Sequence, residues 1–419
     1  MELTPGYLCP PGYKQTEVGV IPGEWGVRTL GSLTSLLTNG FVGTATSAYV
    51  DTDEGVLYVQ GYNIEENGFN FHGIKRVSKS FHVRNQKSCL QPGDLLTIQT
   101  GDIGVTAVVP LALAGANCHA LVISRLDKRV SEPNYCCQYF NSERGRVAFK
   151  EIETGSTMKH LNVGDMKRLF LPSPPVNEQR AIAGALSDVD ELIGALEQLI
   201  AKKRDLKQAT MQQLLTDQTR LPGFSGEWKV KQLGDAAALN RLNVIPASLP
   251  TQMFVHFSLP AFDAGKAPVT EPGAAIGSNK FRVPQGAVLV SKLNPRIPRV
   301  WAPDDIPSEA IASTEFLVLT PREGTSCRFL FVLCSSPLFC GQMELAATGT
   351  TGSHQRISPR GALSLKVSVP VDIEEQTAIA AVLSDMDAEL AVLEHRRDKT
   401  RALKQGMMQE LLTGRTRLA

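Results

Sequence analysis

The sequence predicts a mixed α/β protein in which two globular blocks are joined by two long helices that form an antiparallel coiled coil, an internal pseudo-twofold repeat. The segment from Glu178 to Leu221 aligns without a gap onto Glu375 to Leu418, with 24 of 44 positions identical. Both copies carry apolar residues at steps of three and four, which is typical of a coiled-coil seam. The region before each copy alternates short strand and helix patterns. One architecture is therefore repeated around two dissimilar contents.

The repeated helices carry the seam. Proline-containing loops precede both helices. Since proline is disfavoured inside a helix, these loops mark positions where the helices have not yet begun. A continuous helix from Asn177 to Leu215 would be about 58 Å long at ~1.5 Å per residue, so it needs a partner along its length. The seam residues, which we also take as candidates for partner docking, are Ile182, Leu186, Val189, Ile193 and Leu196 in the first helix and Ile379, Leu383, Met386, Leu390 and Leu393 in the second.

The way the seams are buried has several solutions on periodicity alone. Antiparallel pairing within the chain is the simplest, but parallel pairing or an intermolecular dimer also fits. The charged stretch that begins at Lys202 and ends at Lys207 is either a solvated helical face or a surface that docks another protein.

A second echo lies before each globular block. Gly23-Glu24-Trp25 and Leu30-Gly31 recur as Gly226-Glu227-Trp228 and Leu233-Gly234. We therefore expect four regions: an N-terminal segment with the first block (1–175), the first long helix (176–219), the second block (220–372) and the second long helix (373–419). Similar segments that flank two dissimilar blocks suggest a protein that recognises two different targets.

Within the blocks, short apolar runs predict strands and longer amphipathic runs predict helices. The predicted strands are Leu57–Gln60, Asp94–Gln99, Ala120–Ile123, Met253–Phe257, Ala287–Val290 and Glu315–Leu319. One helix is predicted near Asn134–Lys150 and another near Cys327–Leu345.

Composition excludes several classes of protein. The chain has 419 residues, 42% of them apolar, and contains no apolar run long enough for a membrane span. Met1 to Pro11 lacks a secretory pattern, so we expect a cytoplasmic protein. Eight irregularly spaced cysteines without a Cys-x-x-Cys pair indicate reduced thiols, and Cys118, His119 and His160 make a weak metal signal.

Local charge is more informative than the net charge of +1, which requires that any polyanion be held by local patches. Two stretches contain several basic residues and no carboxylate. Each alone is commonly a solvated face, but matched stretches in both blocks favour nucleic acid, where Lys and Arg contact phosphates and Arg, Asn and Gln reach base edges. These candidate contacts are Lys75, Arg76, Lys79, Arg84 and Lys87, and Lys280, Arg282, Lys292, Arg296 and Arg299.

Loops after predicted strands add further candidates. Thr100 and Asn294 follow strands and can present polar groups. The loop from Thr154 to Leu161 is echoed by Thr351 to Ile357, and glycine with small residues before a base suits close approach to a phosphate. A glycine turn that feeds a strand is the alternative. This pair of loops supplies Lys159, His160, His354 and Arg356.

These motifs together resemble the DNA specificity subunit of type I restriction-modification systems. The resemblance lies in the duplicated Glu-Gln-x-x-Ile-Ala helices, the Gly-Glu-Trp segments, the Thr-Gly-Ser loops and the run from Ser291 to Arg296. It implies two target recognition domains, each of which reads one half of a split, asymmetric site in double-stranded DNA. It also implies that the paired helices act as a ruler and dock methyltransferase subunits, which restriction subunits can join.

Catalytic motifs are absent from the sequence. There is no Gly-x-x-x-x-Gly-Lys-Ser/Thr loop, no Gly-x-Gly-x-x-Gly loop and no Asn-Pro-Pro-aromatic run. We expect a non-catalytic subunit without cofactors of its own, since S-adenosylmethionine, Mg²⁺ and ATP would belong to partner subunits. The alternatives are a coiled-coil adaptor that binds proteins and a self-contained nuclease, for which Asp165 and Lys167 are a weak candidate pair.

Overall fold

The computed structural model describes residues 9–156, 159–349 and 354–418, and the chain divides into two compact units. The first unit comprises Met1–Leu196 with Arg396–Ala419, and the second comprises Glu197–His395. Each unit contains one globular block, the first half of the long helix that follows this block and the second half of the other long helix.

The first block and its helix contain thirteen strands and six α-helices within the described residues. The strands are β1 (Tyr13–Thr16), β2 (Gly19–Pro22), β3 (Gly26–Thr29), β4 (Thr34–Asn39), β5 (Val56–Val59), β6 (Ile64–Glu65), β7 (Gly68–Phe69), β8 (Lys75–Val77), β9 (Leu95–Ile98), β10 (Thr106–Val108), β11 (Asn117–Cys118), β12 (Leu121–Leu126) and β13 (Phe170–Ser173). The helices are α1 (Leu30–Leu33), α2 (Lys79–Arg84), α3 (Pro133–Asn141), α4 (Glu143–Ile152), α5 (Val163–Met166) and α6 (Val176–Leu215).

The second block and its helix repeat this plan. The strands are β14 (Trp228–Gln232), β15 (Ala237–Asn240), β16 (Asn243–Val244), β17 (Met253–Phe257), β18 (Val269–Pro272), β19 (Lys280–Arg282), β20 (Val288–Ser291), β21 (Val300–Trp301), β22 (Ala310–Ser313), β23 (Phe316–Pro321) and β24 (Lys366–Pro370). The helices are α7 (Leu233–Ala236), α8 (Leu259–Asp263), α9 (Cys327–Ser335), α10 (Pro337–Leu345), α11 (Pro359–Leu363) and α12 (Ile373–Leu411).

An antiparallel four-stranded sheet forms the centre of each block. Its strand order is β10-β9-β12-β4 in the first block and β15-β23-β20-β21 in the second, so β4, β12, β9 and β10 correspond to β15, β23, β20 and β21. The second sheets differ, because the first block has the three strands β11-β5-β8 and the second has the five strands β16-β19-β22-β17-β18. The mixed α/β fold with two globular blocks and long helices is thus confirmed.

Each predicted helix inside a block is in fact a pair of helices. Ser142 separates α3 from α4 and accepts a hydrogen bond from the Gly145 amide, while Ser336 separates α9 from α10 and accepts one from the Phe339 amide. The serine side chain caps the second helix and holds an extended backbone that ends the first. The prediction of single helices over Asn134–Lys150 and Cys327–Leu345 was wrong at these serines.

The two long helices run antiparallel within each unit. In the first unit Lys404 Nζ lies 2.6 Å from Asp190 Oδ1. In the second unit Lys203 Nζ lies 2.7 Å from Glu389 Oε1, and Lys207 pairs with Asp387. Part of the charged stretch that the sequence assigned to solvent or to docking is therefore used between the helices. The helices end at Leu215 and Leu411, ahead of the predicted boundaries at 219 and 419.

The ten seam residues are all buried or half-buried, but they contact more than the other long helix. Ile182 and Leu186 pack with the core of the first block and with Leu411 at the end of α12. Ile379 and Leu383 pack in the same way in the second unit. The seam therefore fastens each helix to its own block as well as to the other helix.

A buried carboxylate near the start of each long helix binds the block to the segment that follows the other helix. In the first unit Glu178 accepts a hydrogen bond from Trp25 Nε1 (3.1 Å) and two from Arg417 (2.5 and 2.8 Å). In the second unit Glu375 accepts one from Trp228 Nε1 (3.3 Å) and two from Arg220 (2.6 and 2.7 Å). We call each set of three residues a clamp.

The guanidinium of each clamp also covers the indole ring. The Arg417 carbon Cζ lies 5.6 Å from the Trp25 ring centroid, and that of Arg220 lies 5.8 Å from the Trp228 ring. The carboxylates are 7% exposed at Glu178 and 0% exposed at Glu375. Burial of a carboxylate is tolerated here because charge-assisted hydrogen bonds satisfy its oxygens.

The remaining repeated motifs complete the same structure. Gln179 and Gln376 each donate to a proline carbonyl at the helix start, that of Pro174 or Pro370 (both 2.8 Å). The buried Leu30 and Leu233 donate from their backbone amides to Leu169 and Leu365. Each leucine is followed by a glycine that packs against opposing backbone, namely Gly31 against the Lys167 carbonyl and Gly234 against the Leu363 carbonyl. The clamp, the glutamine and this Leu-Gly contact together are called the frame below.

The clamp generates a stability prediction. Glu375→Gln removes the charge from the two hydrogen bonds to Arg220 at a buried position, so we expect the free energy of unfolding to fall by roughly 2 kcal/mol. Urea denaturation followed by circular dichroism measures this change. The matched control is Glu394→Gln, which affects a half-exposed pair with Arg204 and is expected to cost below about 1 kcal/mol. Equal effects of the two changes would show that the clamp is not a special contact.

Candidate nucleic-acid interface

In the second block, several loops of the predicted site lie together at one end of the four-stranded sheet, where its strands begin and finish. Because neighbouring strands are antiparallel, β15 and β20 end where β23 begins. The loop 292–299 between β20 and β21 lies at this edge, beside residues 314–315. Leu293 pairs with Arg356, so the segment 354–357 joins it. We call these residues the second edge.

The backbone of loop 292–299 is held on both sides. Lys292 N donates to the Glu315 carbonyl (2.9 Å), and Asn294 N donates to the Gln355 carbonyl (2.8 Å). Asn294 has a φ of +48°, in the left-handed region that asparagine tolerates. Pro295 then occupies the second position of a β-turn closed by Ile297 N and the Asn294 carbonyl (2.9 Å). The tip is thereby fixed before any ligand binds.

The basic residues of the second edge differ in how free they are. Arg296 is exposed at the turn, and Lys292 is half-buried; neither has an ion pair with any residue that the structure describes. Arg356 Nε lies 3.1 Å from Glu315 Oε2, and Arg299 makes two bonds to Asp263 (2.7 and 2.9 Å). His354 is exposed beside them. Arg296 and Lys292 are therefore the charges most available to a polyanion.

Two predicted contacts lie on β19. Arg282 is half-buried and donates to the Ser308 carbonyl. Lys280 is only 5% exposed, and its ammonium donates to the Ser278 carbonyl (2.9 Å) and hydroxyl (2.7 Å). Burial lowers the pKa of Lys280. The expectation that Lys280 meets a phosphate is inconsistent with this burial, which a pattern of charges along the sequence does not reveal.

The first block has a matching edge, here called the first edge. The strands β4 and β9 end where β12 begins, and the hairpin 99–104 lies there with Thr100 exposed. Leu161 N donates to the Gln99 carbonyl (3.0 Å), which brings the segment 159–161 to this edge. His160 is half-buried, and the exposed Lys159 lies 3.0 Å from Glu153. This edge is less basic than the second edge.

The loops that end in His160 and Arg356 do correspond, but in a different register from the predicted one. Thr154 pairs with His160, and Thr348 pairs with Arg356, so Thr348 matches Thr154 in place of Thr351. The shared Thr-Gly-Ser letters produced the wrong alignment because the second loop is longer. Residues 157–158 and 351–353 of the predicted loops lie outside the described residues.

The first basic stretch lies on β8, on α2 and on the turn after α2. Arg76 and Lys79 face acids, at 3.6 Å from Asp53 and 3.6 Å from Glu54. Lys75 and Lys87 are exposed. Arg84 lines a cavity of about 430 Å³ together with Phe41, Thr44, Ser47, Ser78 and Phe81. Because Phe41 and Thr44 follow β4, this cavity adjoins the first edge.

Arg241 was missed by sequence reasoning. It is exposed and directly follows β15, which places it at the second edge. It precedes the carboxylate-free stretch and so did not count with it. The signal that was present is the polar run Asn240-Arg241 immediately after a strand.

The cysteines and histidines of the described residues form no group of three or more metal-binding side chains with acids. His119 Nδ1 lies 2.9 Å from the Tyr58 hydroxyl. Burial raises the pKa of Cys136 to about 12 and that of Cys340 to about 11, so both thiols are protonated at neutral pH. Asp165 pairs with Arg168 at 2.5 Å. Within the same residues, no helix is both long and apolar enough to cross a bilayer.

The chain is similar to known proteins in both sequence and fold. A family model described as "Type I restriction modification DNA specificity domain" matches residues 22–203. The putative type I restriction enzyme MjaX specificity subunit of Methanocaldococcus jannaschii is 24% identical over 440 residues, covering 97% of each protein. The type I restriction enzyme MjaVIII specificity subunit of that organism is 22% identical over 363 residues, covering 82% of this chain and 83% of that protein.

Solved structures share the fold over nearly the whole chain. The crystal structure of a type I restriction-modification system S subunit from M. genitalium has a TM-score of 0.59 at 16% identity, covering 93% of this chain and 96% of that one. A structure described as showing complex assembly and conformational transition of the type I R-M system has a TM-score of 0.56 at 17% identity, covering 94% and 99%.

The structure distinguishes an arginine of the second edge from a lysine on β19, although the sequence predicts both as DNA contacts. Arg296→Ala removes an exposed guanidinium that has no ion pair within the described residues, so we expect affinity for duplex DNA to fall about tenfold. Lys280→Met replaces a buried ammonium of similar length, so we expect less than about twofold change. Titration of labelled duplex at fixed salt measures both. A larger loss with Lys280→Met, in a protein with an unchanged thermal transition, would show that β19 contacts the DNA.

Proposed function

We propose that the chain is a DNA specificity subunit of a type I restriction-modification system, and that it reads a split, asymmetric site in double-stranded DNA, one half-site with each block. The observation that most supports this proposal is that the two units have the same frame residues but different residues at their edges. The clamps are built from the same three residue types in both units. The edges carry different side chains, with Thr100 and Asp102 in one and Asn294 and Arg296 in the other.

The side chains of each edge suit the two tasks of a DNA reader. Lys292 of the second edge and Lys75 on β8, outside the first edge, supply positive charge for phosphates, which gives affinity without sequence choice. Arg296 sits at a fixed turn and suits a guanine edge, and the exposed Thr100 hydroxyl suits a base of either kind, whereas the side-chain oxygens of Asn294 and Gln99 are buried. Since the two edges offer different groups, the two half-sites differ, and the recognised site is asymmetric.

The long helices are the proposed docking surface for methyltransferase subunits, which restriction subunits can join. The seam residues face inward, so docking falls to other side chains of the same helices. Leu199, Leu206 and Val392 of the second unit are exposed apolar residues that support this assignment. Catalysis belongs to the partner subunits, and so do S-adenosylmethionine, Mg²⁺ and ATP; this chain binds and positions.

Methylation mapping of genomic DNA tests the proposal. We expect cells that express this chain with its methyltransferase to carry a split methylated motif, and cells that lack only this chain to lose it. A map unchanged by removal of the chain, with the methyltransferase present, would contradict the proposal and leave an adaptor for other proteins.

The same map tests the division of labour between the blocks. Arg296→Ala is expected to relax the motif, or to lower its methylation, in one half only, because this residue belongs to one edge. Arg328→Ala is the matched control, because Arg328 is an exposed arginine at the start of α9. Its neighbour Cys327 contacts Gly286, which precedes β20 and so lies at the end of the sheet opposite the second edge. Loss of both halves with Arg296→Ala would contradict separate readers.

A further inference from the structure

An exposed isoleucine stands out at the tip of the second edge. Ile297 is 49% exposed and, within the described residues, belongs to no cluster of packed apolar side chains. In the hairpin of the first edge the isoleucine is Ile103, which packs against the core of the first block. The second edge therefore presents to solvent an apolar side chain whose counterpart in the first edge is half-buried and packed against the core.

The exposure of Ile297 is built into a stiff turn. Pro295 and Pro298 fix the backbone on either side, and Ile297 N is bonded to the Asn294 carbonyl at 2.9 Å. The base of the loop is held by the Ser291 N bond to the Arg299 carbonyl, also 2.9 Å. Isoleucine itself has a restricted χ1 because it is β-branched. Little conformational freedom remains to be lost when this side chain meets a partner.

The surroundings of Ile297 are cationic. Arg296 precedes it and Lys292 lies in the same loop, while Arg299 of this loop is paired with Asp263. A surface of this charge approaches a polyanion, and the charged phosphates offer no favourable partner to an apolar side chain. In the grooves of a duplex, the apolar group on a base edge is the C5 methyl of thymine, in the major groove. This methyl is the chemical feature that fits Ile297.

We propose that Ile297 is a specificity-determining residue that contacts the C5 methyl of a thymine in the half-site read by the second block. The proposal rests on the proposed function, since it requires a half-site. The neighbouring Arg296 fixes the depth of the loop in the groove, and Ile297 then tests one position for a methyl group. The half-site of the second block therefore contains at least one A·T pair.

The experiment compares thymine with uracil, which pairs identically and lacks the methyl. The half-site is the half of the mapped motif that responds to Arg296→Ala. Duplexes carrying the full site are prepared with each thymine of that half replaced singly by uracil. Binding of the full chain is measured by titration. At one position the replacement is expected to lower the affinity of the unaltered protein about fourfold, the effect of removing one buried methyl.

The variant Ile297→Ala identifies the residue responsible. It is expected to bind the thymine duplex about fourfold more weakly and to bind thymine and uracil duplexes equally. Ile373→Ala is the matched control, because Ile373 is an isoleucine of the same 49% exposure at the start of α12. This control is expected to retain the preference for thymine.

Several results would overturn the proposal while leaving the proposed function intact. These are a second half-site without an A·T pair, an unaltered protein indifferent to uracil at every position, and an Ile297→Ala protein that still prefers thymine. Loss of methyltransferase binding with the thymine preference unchanged would assign Ile297 to a protein contact and would also overturn it. Absence of any split motif would instead be a failure of the proposed function.

Discussion

The buried carboxylate in the first turn of each long helix is the group on which the rest of this structure depends. Glu178 and Glu375 are removed from water, at a cost of several kcal/mol per ion if they were left uncompensated. An arginine from the segment that follows the other long helix and a tryptophan from the start of the block offset that cost. The positive end of the helix dipole adds to the compensation. One carboxylate thus ties three distant parts of the sequence together.

This constraint explains why some segments of the two repeats are alike and others are not. The segments that match are those that build the frame, including the Leu-Gly contacts of Leu30 and Leu233. The sheet edges lie outside the frame and place no demand on it, so Thr100 and Arg296 can differ without a change in the support. A protein that must recognise new sequences while keeping its partners benefits from this separation.

The sequence was most informative where the physical signal is periodic or duplicated. The long helices and most core strands follow from apolar spacing, since a buried stripe such as Ile182 and Leu186 must recur with the helical period. The break at Ser142 was missed because a serine cap depends on local backbone conformation. The burial of Lys280 was missed because it depends on strands distant in the sequence, and the register of Thr348 was missed because shared letters outweighed loop length. In the sequence the clamp residues appear only as repeated amino acids. Their role follows from the three-dimensional contacts between them.

The central claim is that the frame supports either globular block, whatever DNA sequence that block recognises. A chain that carries two copies of the first block tests this claim most directly. Residues 234–363 are replaced by residues 31–167, so that the frame contacts of Gly31 and Gly234 serve as the junctions. Methylation mapping in cells with the methyltransferase is then expected to show a motif in which both halves are the first half-site. A folded chimera that retains the original second half-site would contradict the account, because recognition would then lie in the frame.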